Sequence, residues 1–273
     1  MKPNHIKTLW SQGKPVLNGW LSIGNAFTAE IMAAQGYDSI CVDLQHGVVD
    51  YHVAVSMFQA MQASAVTPLG RVPWLDPALI MKILDAGAYG VICPMINNRA
   101  QAEAFVSCVR YPPLGVRSYG PTRANFSAGA HYFLEAEDQI LSIAMIETRE
   151  AVDNIEEIVT TSGLDAVYIG PADLTIGLTG KRYPVGFDRT EPEIVGAIKT
   201  ILAAAHRAGI KAILHCGTAN YAKQAIDWGF DMVTVSGDTR LLAGAAAASV
   251  AEFRRLANGV DSRTESLAPQ ASY

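Results

Sequence analysis

Two carboxylates in this sequence are spaced so that they could share a cation. Residues 142–147 read SIAMIE, apolar up to a terminal Glu147, and Asp173 follows the next apolar run within the segment IGPADL. If both runs are neighbouring strands, the two acids meet at one rim. Two carboxylates held close repel each other and need a cation or a shared proton between them. With no histidine or cysteine ligand beside them, a hard, oxygen-preferring divalent ion such as Mg²⁺ or Mn²⁺ is the natural occupant. The alternative is that Glu147 caps its following helix and Asp173 is an ordinary first-turn acid.

The same segment offers an anion site. Pro171 at a first helical position forfeits no useful N–H, and Gly170 lets another group approach the backbone. The free N–H groups of Ala172 and Asp173 then face outward at a helix N-terminus, where a carboxylate binds well. Asp43 and His46 lie three residues apart in DLQHG. A carboxylate that accepts from one imidazole nitrogen fixes the tautomer and makes the other nitrogen a better base. Arg71 in GRVPW ends an apolar run, and a buried arginine seldom lacks an anionic or carbonyl partner. His215 in LHCG stands at a strand end without a neighbouring acid and reads as pocket lining or structural. His5, His52, His131 and His206 read as surface or loop groups.

These residues matter only if one scaffold brings them together. Eight short apolar runs recur: Leu17–Ile23, Ser39–Asp43, Thr67–Val72, Gly90–Met95, Leu141–Glu147, Ala166–Gly170, Lys211–His215 and Met232–Ser236. Several are continuously apolar, as parallel strands covered on both faces require. Between them lie helical stretches: Ala26–Gln35, Val53–Ala63, Pro77–Ala86, Arg99–Arg110, Arg149–Thr161, Glu191–Ala208, Ala219–Trp228 and Thr239–Ala257. Gly36, Gly87, Gly163, Gly209 and Gly229 each sit just past a helix, where a left-handed cap favours glycine. Eight βα units predict a single (β/α)₈ TIM barrel over residues 1–257, whose chemistry gathers at the C-terminal ends of the strands. A Rossmann-like sheet is the runner-up, but no GxGxxG follows the first run. The irregular stretch Tyr111–Asp138 reads as a functional or disordered loop. Residues 258–273 read as a polar, mobile tail.

Composition narrows the function. The 273 residues are half apolar and 17% charged, a globular balance, and the formal net charge of −5 predicts no nucleic-acid surface. The four cysteines are scattered with no CxxC pair, which suits a reducing compartment. No secretory signal or membrane-spanning run is evident, so a cytoplasmic protein without membrane contact is expected.

The motifs together resemble the HpcH/HpaI aldolases, metal-dependent class II pyruvate aldolases. The resemblance spans Trp20 to Leu242 and rests on Leu17-Asn18-Gly19-Trp20, DLQHG, GRVPW, DAGAYGVICPM, RYPPLGVRSYG, MIETREAVDNIEEI, VYIGPADLTIGL and VSGDTRLL, in order. It implies that Glu147 and Asp173 bind the metal, Mg²⁺ or Mn²⁺ with Co²⁺, Ni²⁺ or Zn²⁺ as further candidates. It implies that Arg71 holds the 2-oxo group and steadies an enolate, and that His46, oriented by Asp43, acts as base through a water on the metal. Gly170, Pro171 and Ala172 would bind substrate, with the N–H groups of Gly170 and Ala172 near its carboxylate and Trp20 on the pocket wall. Asp85 would shape a neighbouring subunit's site, which implies a trimer or hexamer. Two departures stand out: Met145 occupies a position where glutamine is frequent, and Ser118-Tyr119 follows Arg117 where glycine is frequent, leaving Arg117 and Arg123 without assigned roles.

The implied substrates are small 2-oxo acids and aldehydes. No lysine ends a strand on the correct face, since Lys211 begins its strand, so a Schiff-base aldolase is not expected. The alternatives are an oxaloacetate decarboxylase, which passes through the same enolate, a CoA-ester lyase of the citrate-lyase β type, or a non-catalytic binding barrel. The CoA reading lacks a basic patch for the nucleotide phosphates.

Overall fold

The computed structural model describes residues 1–258. Eight strands close into one parallel barrel: β1 (Val16–Leu21), β2 (Ser39–Asp43), β3 (Thr67–Arg71), β4 (Gly90–Cys93), β5 (Leu141–Ile146), β6 (Ala166–Ile169), β7 (Lys211–Cys216) and β8 (Met232–Val235). Each strand pairs with the next, and β8 returns to β1 through Leu17↔Val233. The helices are α1 (His5–Ser11), α2 (Ala26–Ala33), α3 (Tyr51–Met61), α4 (Pro77–Asp85), α5 (Arg99–Val109), α6 (Ala124–Ser127) and α7 (Tyr132–Gln139). After β5 come α8 (Arg149–Asp153), α9 (Ile155–Val159), α10 (Pro171–Thr179), α11 (Pro192–Arg207), α12 (Ala219–Trp228) and α13 (Asp238–Asn258). The expected (β/α)₈ TIM barrel is the fold.

Alternation along the strands sorts side chains into two apolar layers. Cys41, Leu69, Ile92, Ile143, Tyr168 and Ile213 form an inner cluster, while Ile40, Val42, Val91, Ala144, Val167 and Leu214 belong to the layer shared with the helices. This is the consequence of a two-residue period in strands covered on both sides. Ile6 of α1 is fully buried, and Leu9 and Trp10 pack with it against the inner cluster, so α1 plugs the end where the strands begin. The interior therefore opens only where the strands end.

Helix starts are set at that same open end. Asn25, Asp50, Asp76, Asn98, Thr148 and Thr218 each accept first-turn N–H groups at the start of α2, α3, α4, α5, α8 and α12. The five glycines past helices all have positive φ, from 78° at Gly209 to 109° at Gly229. Six expected strands run one or two residues too far. At Met95 and Ser236 the backbone turns to φ 57° and 58°, and the ladders through Glu147 and Gly170 have already ended. The apolar run persists there because it lines the mouth, not because it is paired.

Other boundaries shift too. The single helix expected over Arg149–Thr161 breaks at Asn154, whose side chain donates to the carbonyl of Asn97 at 2.9 Å. The stretch Tyr111–Asp138 holds α6 and most of α7, folded around the buried Arg117, and is not a structureless loop. From residue 241 to 257 every side chain of α13 is exposed, Leu242, Phe253 and Leu256 among them. The tail expected from residue 258 onward lies outside the described residues, apart from Asn258, which closes α13. Among the described residues no helix is long and apolar enough to cross a membrane.

Candidate active site

The strand ends deliver their polar residues to one cavity of about 190 Å³ at the open mouth. Trp20, Asp43, His46, Arg71, Ala172 and Asp173 all line it. Its most heavily bonded group is Asp43. Nε and Nη2 of Arg71 donate to its two oxygens at 2.8 and 2.6 Å, and both side chains are almost fully buried. The two residues close neighbouring strands and face each other in register. The N–H groups of Gln45 and His46 donate to Asp43 Oδ1 at 3.0 and 3.3 Å, and Trp20 Nε1 to Oδ2 at 3.3 Å. Burial by itself would raise the Asp43 carboxyl, but the hydrogen bonds and charge of Arg71, with these two amides, hold it below its ordinary value. Gly47 lets the loop turn this tightly, since a Cβ there would stand 2.2 Å from the Asp43 carbonyl oxygen.

Arg71 is thereby locked with one edge spent. Its guanidinium lies 4.8 Å over the Trp20 ring, and among the described residues Nη1 meets only the Met145 sulfur at 4.0 Å. Sulfur is a weak acceptor. That N–H edge can therefore serve an oxygen in the cavity.

Glu147 lies just beneath the cavity, 2% exposed, with Oε1 accepting the Met95 N–H at 2.9 Å. Burial, and then the charge of Asp173, push its carboxyl up to about 7, against the opposing pull of the Met95 amide and Arg71. A buried acid raised by a second acid is a pair prepared for a cation. Gly170 completes the cradle: a Cβ there would stand 2.7 Å from Glu147 Oε2 and 3.0 Å from the Met145 methyl. Asp173 sits in the first turn of α10, whose start at Gly170 has no side-chain cap, so its leading N–H groups are available to a ligand. The donor set fits a hard divalent ion that keeps several positions for water and ligand oxygens. Among the described residues no group of three or more His, Cys, Asp or Glu forms an all-protein cage.

The opposite wall is aromatic. The Tyr168 hydroxyl donates to Thr234 Oγ1 at 2.8 Å and lies 2.8 Å from His215 Nδ1. Burial, then the charge of Arg71, hold His215 down at about 3, so its ring is neutral. Phe187 stacks on it at 4.4 Å and 26°.

Comparison with known proteins gives the family. Residues 18–245 match the HpcH/HpaI aldolase/citrate lyase family model. The chain belongs to that family. It is an enzyme, a carbon–carbon lyase of the aldolase kind. A hydroxypyruvate/pyruvate aldolase of Rhizorhabdus wittichii is 40% identical over 93% of this chain and 100% of its own. A 4-hydroxy-2-oxo-heptane-1,7-dioate aldolase of Shigella sonnei is 32% identical over 94% and 97%. A crystal structure of a family member from Burkholderia cenocepacia superposes with a TM-score of 0.81 at 32% identity, covering 88% of this chain and 95% of that one.

For this aldolase-family chain, two residues expected at the site, Asp43 and Pro171, stand elsewhere or act differently. Asp43 contacts His46 through the main-chain N–H and spends its oxygens chiefly on Arg71, so it orients the arginine rather than acting as an imidazole partner. Pro171 is buried below the cavity and fixes the start of α10, its carbonyl accepting from Thr175 Oγ1 at 2.7 Å. Asp85, at the end of α4, is outside the cavity and accepts from Arg117 Nη2 at 2.7 Å. Arg117 is enclosed by Tyr111 and Tyr132, and Arg123 donates to Gln62 Oε1 at 2.9 Å and to the Ala86 carbonyl, so neither reaches this chain's own site. Phe187 and Arg240 line the cavity without having been singled out. The Asp238 carboxylate accepts the N–H groups of Ser22 and Ile23 at 2.9 Å each and straps β8 to β1.

Proposed function

We propose that this protein is a divalent-metal-dependent class II aldolase that cleaves 4-hydroxy-2-oxo acids to pyruvate, or a related 2-oxo acid, and an aldehyde, and runs the reverse condensation. The observation that carries the reading is the convergence of the Glu147–Asp173 pair, the uncapped start of α10 and the unspent edge of Arg71 on one cavity. Glu147 and Asp173 hold the ion, Mg²⁺ or Mn²⁺, and Ala172 with Gly170 presents backbone to the substrate carboxylate. When bound, such an ion supplies Lewis acidity to the substrate oxygens.

In cleavage, His46 accepts the proton of the 4-hydroxyl. The C3–C4 bond then breaks, its electron pair moving to C3–C2 while charge develops on the 2-oxygen. Arg71 donates to that oxygen as the charge grows, a contact that strengthens toward the transition state. Asp43 keeps Arg71 charged and aimed, at no reorganisation cost during the step. Trp20 and Phe187 wall the cavity from water. Protonation at C3 releases pyruvate.

The protein is also proposed to be a homo-oligomer, a trimer or hexamer, in the cytoplasm. The exposed apolar residues of α13 support self-association, because monomers rarely show such a surface. The four unbridged, buried cysteines support a reducing compartment.

The test is pyruvate release from a panel of 4-hydroxy-2-oxo acids with added Mg²⁺ or Mn²⁺. Glu147→Gln and Asp173→Asn are expected to abolish it while circular dichroism shows the fold intact. Near-normal turnover and metal affinity in both variants would refute the assignment.

A further inference from the structure

We propose that a second cavity, at the end of the barrel where the strands begin, binds a small carboxylate with an apolar body, and that Arg123 and Ser127 receive its charged end. The inference is independent of the aldolase reading, because this cavity shares no lining residue with the catalytic one.

The cavity has a volume of about 210 Å³, against about 190 Å³ at the mouth. It lies between the turn from α3 to β3, the segment ahead of α1, and α6. Thr67 and Pro68 border it where β3 begins, and Tyr89 borders it just ahead of β4. Phe58, Met61 and Val66 give it a floor taken from the apolar layer between barrel and helices. A cavity of about 150 Å³ accepts a benzene ring, so a ring or short chain bearing a carboxylate has room here.

Its charge is one-sided. Lys2, His5 and Arg123 line it and no aspartate or glutamate does, in a chain whose formal net charge is −5. His5 lies 3.6 Å from Asp38. Among the described residues neither Lys2 nor Arg123 meets a carboxylate, whereas the buried Arg71, Arg110, Arg117 and Arg189 each do. Arg123 is half-buried and spends donors only on neutral oxygens, Gln62 Oε1 at 2.9 Å and the Ala86 carbonyl. A guanidinium carries five N–H donors, so most of them remain for a ligand. Burial holds this one below the ordinary arginine value, opposed only by Tyr51. A desolvated cation without an anion carries a cost that an incoming carboxylate removes.

A second donor stands beside it. The Ser127 hydroxyl is shielded from solvent and, among the described residues, has no hydrogen-bond partner, which is rare for a buried polar group. Arg123 Nη1 and Ser127 Oγ converge in front of Gly87, where a Cβ would stand 2.6 and 2.8 Å from them. Gly87, at φ 107° just past α4, keeps that space open. A charged and a neutral donor thus face one opening, where the oxygens of a carboxylate can take both. The rim across from them is fixed: the Lys2 N–H donates to the Ala128 carbonyl at 2.6 Å and the Tyr89 hydroxyl to the Lys2 carbonyl at 3.1 Å.

The test is a titration with benzoate, followed by the methyl NMR signals of the methionines. Met61 lines this cavity and Met145 the catalytic one, so the two signals report the two sites separately. Benzoate is expected to shift the Met61 signal and to saturate at one molecule per chain. Benzamide, of the same shape without the charge, is expected to bind about ten- to a hundredfold more weakly. Arg123→Gln should weaken benzoate binding by a similar factor, and Arg123→Lys should recover part of it. Ser127→Ala, which leaves the arginine in place, should weaken it by about tenfold. At a benzoate concentration about a hundredfold above Kd, wild type should gain about 5–11 °C in Tm. A Met61 signal that does not move, or that benzamide moves as readily, overturns the inference, as does undiminished affinity in both Arg123→Gln and Ser127→Ala. Movement of the Met145 signal alone would put the carboxylate in the catalytic cavity and overturn it as well.

Discussion

Replacing Asp43 by asparagine keeps the shape of the side chain and removes the charge that Arg71 depends on. In the folded protein the two side chains are 2% and 7% exposed and share two hydrogen bonds. The amide of asparagine leaves one acceptor for Arg71 and turns an N–H group toward it on the other side. Removing one partner of a buried ion pair costs about 3–5 kcal/mol, because the remaining charge stays desolvated. In a barrel of this size each kcal/mol moves Tm by about 2–4 °C, so a fall of about 6–20 °C is expected. Calorimetry in the presence of a chelator reads this directly, with no contribution from bound metal. Arg71→Met in the Asp43→Asn background should restore much of the loss by removing the stranded cation. The wild-type pair also has a pH signature. Because the Asp43 carboxyl is held below its ordinary value of 3.8, its stabilisation is present above that value and disappears as pH falls through the lower folded one. A drop of less than about 1 kcal/mol, or no recovery in the double variant, would refute the view that Asp43 exists to keep Arg71 charged and aimed.

Three further outcomes follow from the same geometry. His46→Ala should slow aldol cleavage by about 10²–10⁴-fold, the usual worth of a general base, yet slow oxaloacetate decarboxylation little, since losing CO₂ needs no base; Arg71→Ala should damage both. Equal losses in the two reactions for His46→Ala would show that the histidine is not the base. His215, neutral and held at about 3 when folded, takes up a proton only on unfolding below its ordinary 6.5, so it destabilises the fold as pH falls from 6.5 toward 3. His215→Gln should therefore lose less stability than wild type between pH 7 and pH 5, by about 2 kcal/mol in denaturant titrations; parallel losses would contradict the buried neutral ring. Gly170→Ala should displace the Glu147 carboxylate and weaken metal binding in calorimetric titration, because the added methyl would stand 2.7 Å from Oε2. Unchanged affinity would mean that Glu147 is not a ligand in this position.

Much of the scaffold was legible because its causes are local. Apolar runs of strand length, helix caps and glycines at positive φ are written residue by residue, and all eight strands and five glycine caps stand where those patterns put them. What escaped was set by contacts distant in sequence. Asp43 reads as a partner for His46 because the two are close along the chain, yet the barrel register sets Asp43 beside Arg71. That each residue closes its strand was a signal that could have paired them. Pro171 reads as a ligand contact from its motif, whereas its ring is buried and only its neighbours reach the cavity. The helices α6 and α7 were missed because they are short and wrap an arginine between tyrosines, so no apolar stripe marks them. Phe187 lies in a loop whose place is set by Asp188 reaching the start of α12, a contact with no counterpart in local pattern.

The proposed chemistry turns on the enolate of a 2-oxo acid, generated between Arg71 and the Glu147–Asp173 pair. The most direct measurement is the exchange of pyruvate methyl protons with deuterium, followed by NMR on chelator-treated protein with and without added Mg²⁺ or Mn²⁺. Exchange is expected in the metal-supplemented wild type, and its loss both in chelator and in Arg71→Ala. Undiminished exchange in either of those two cases, or cleavage of a 4-hydroxy-2-oxo acid by a protein that never exchanges the protons of pyruvate, would contradict it.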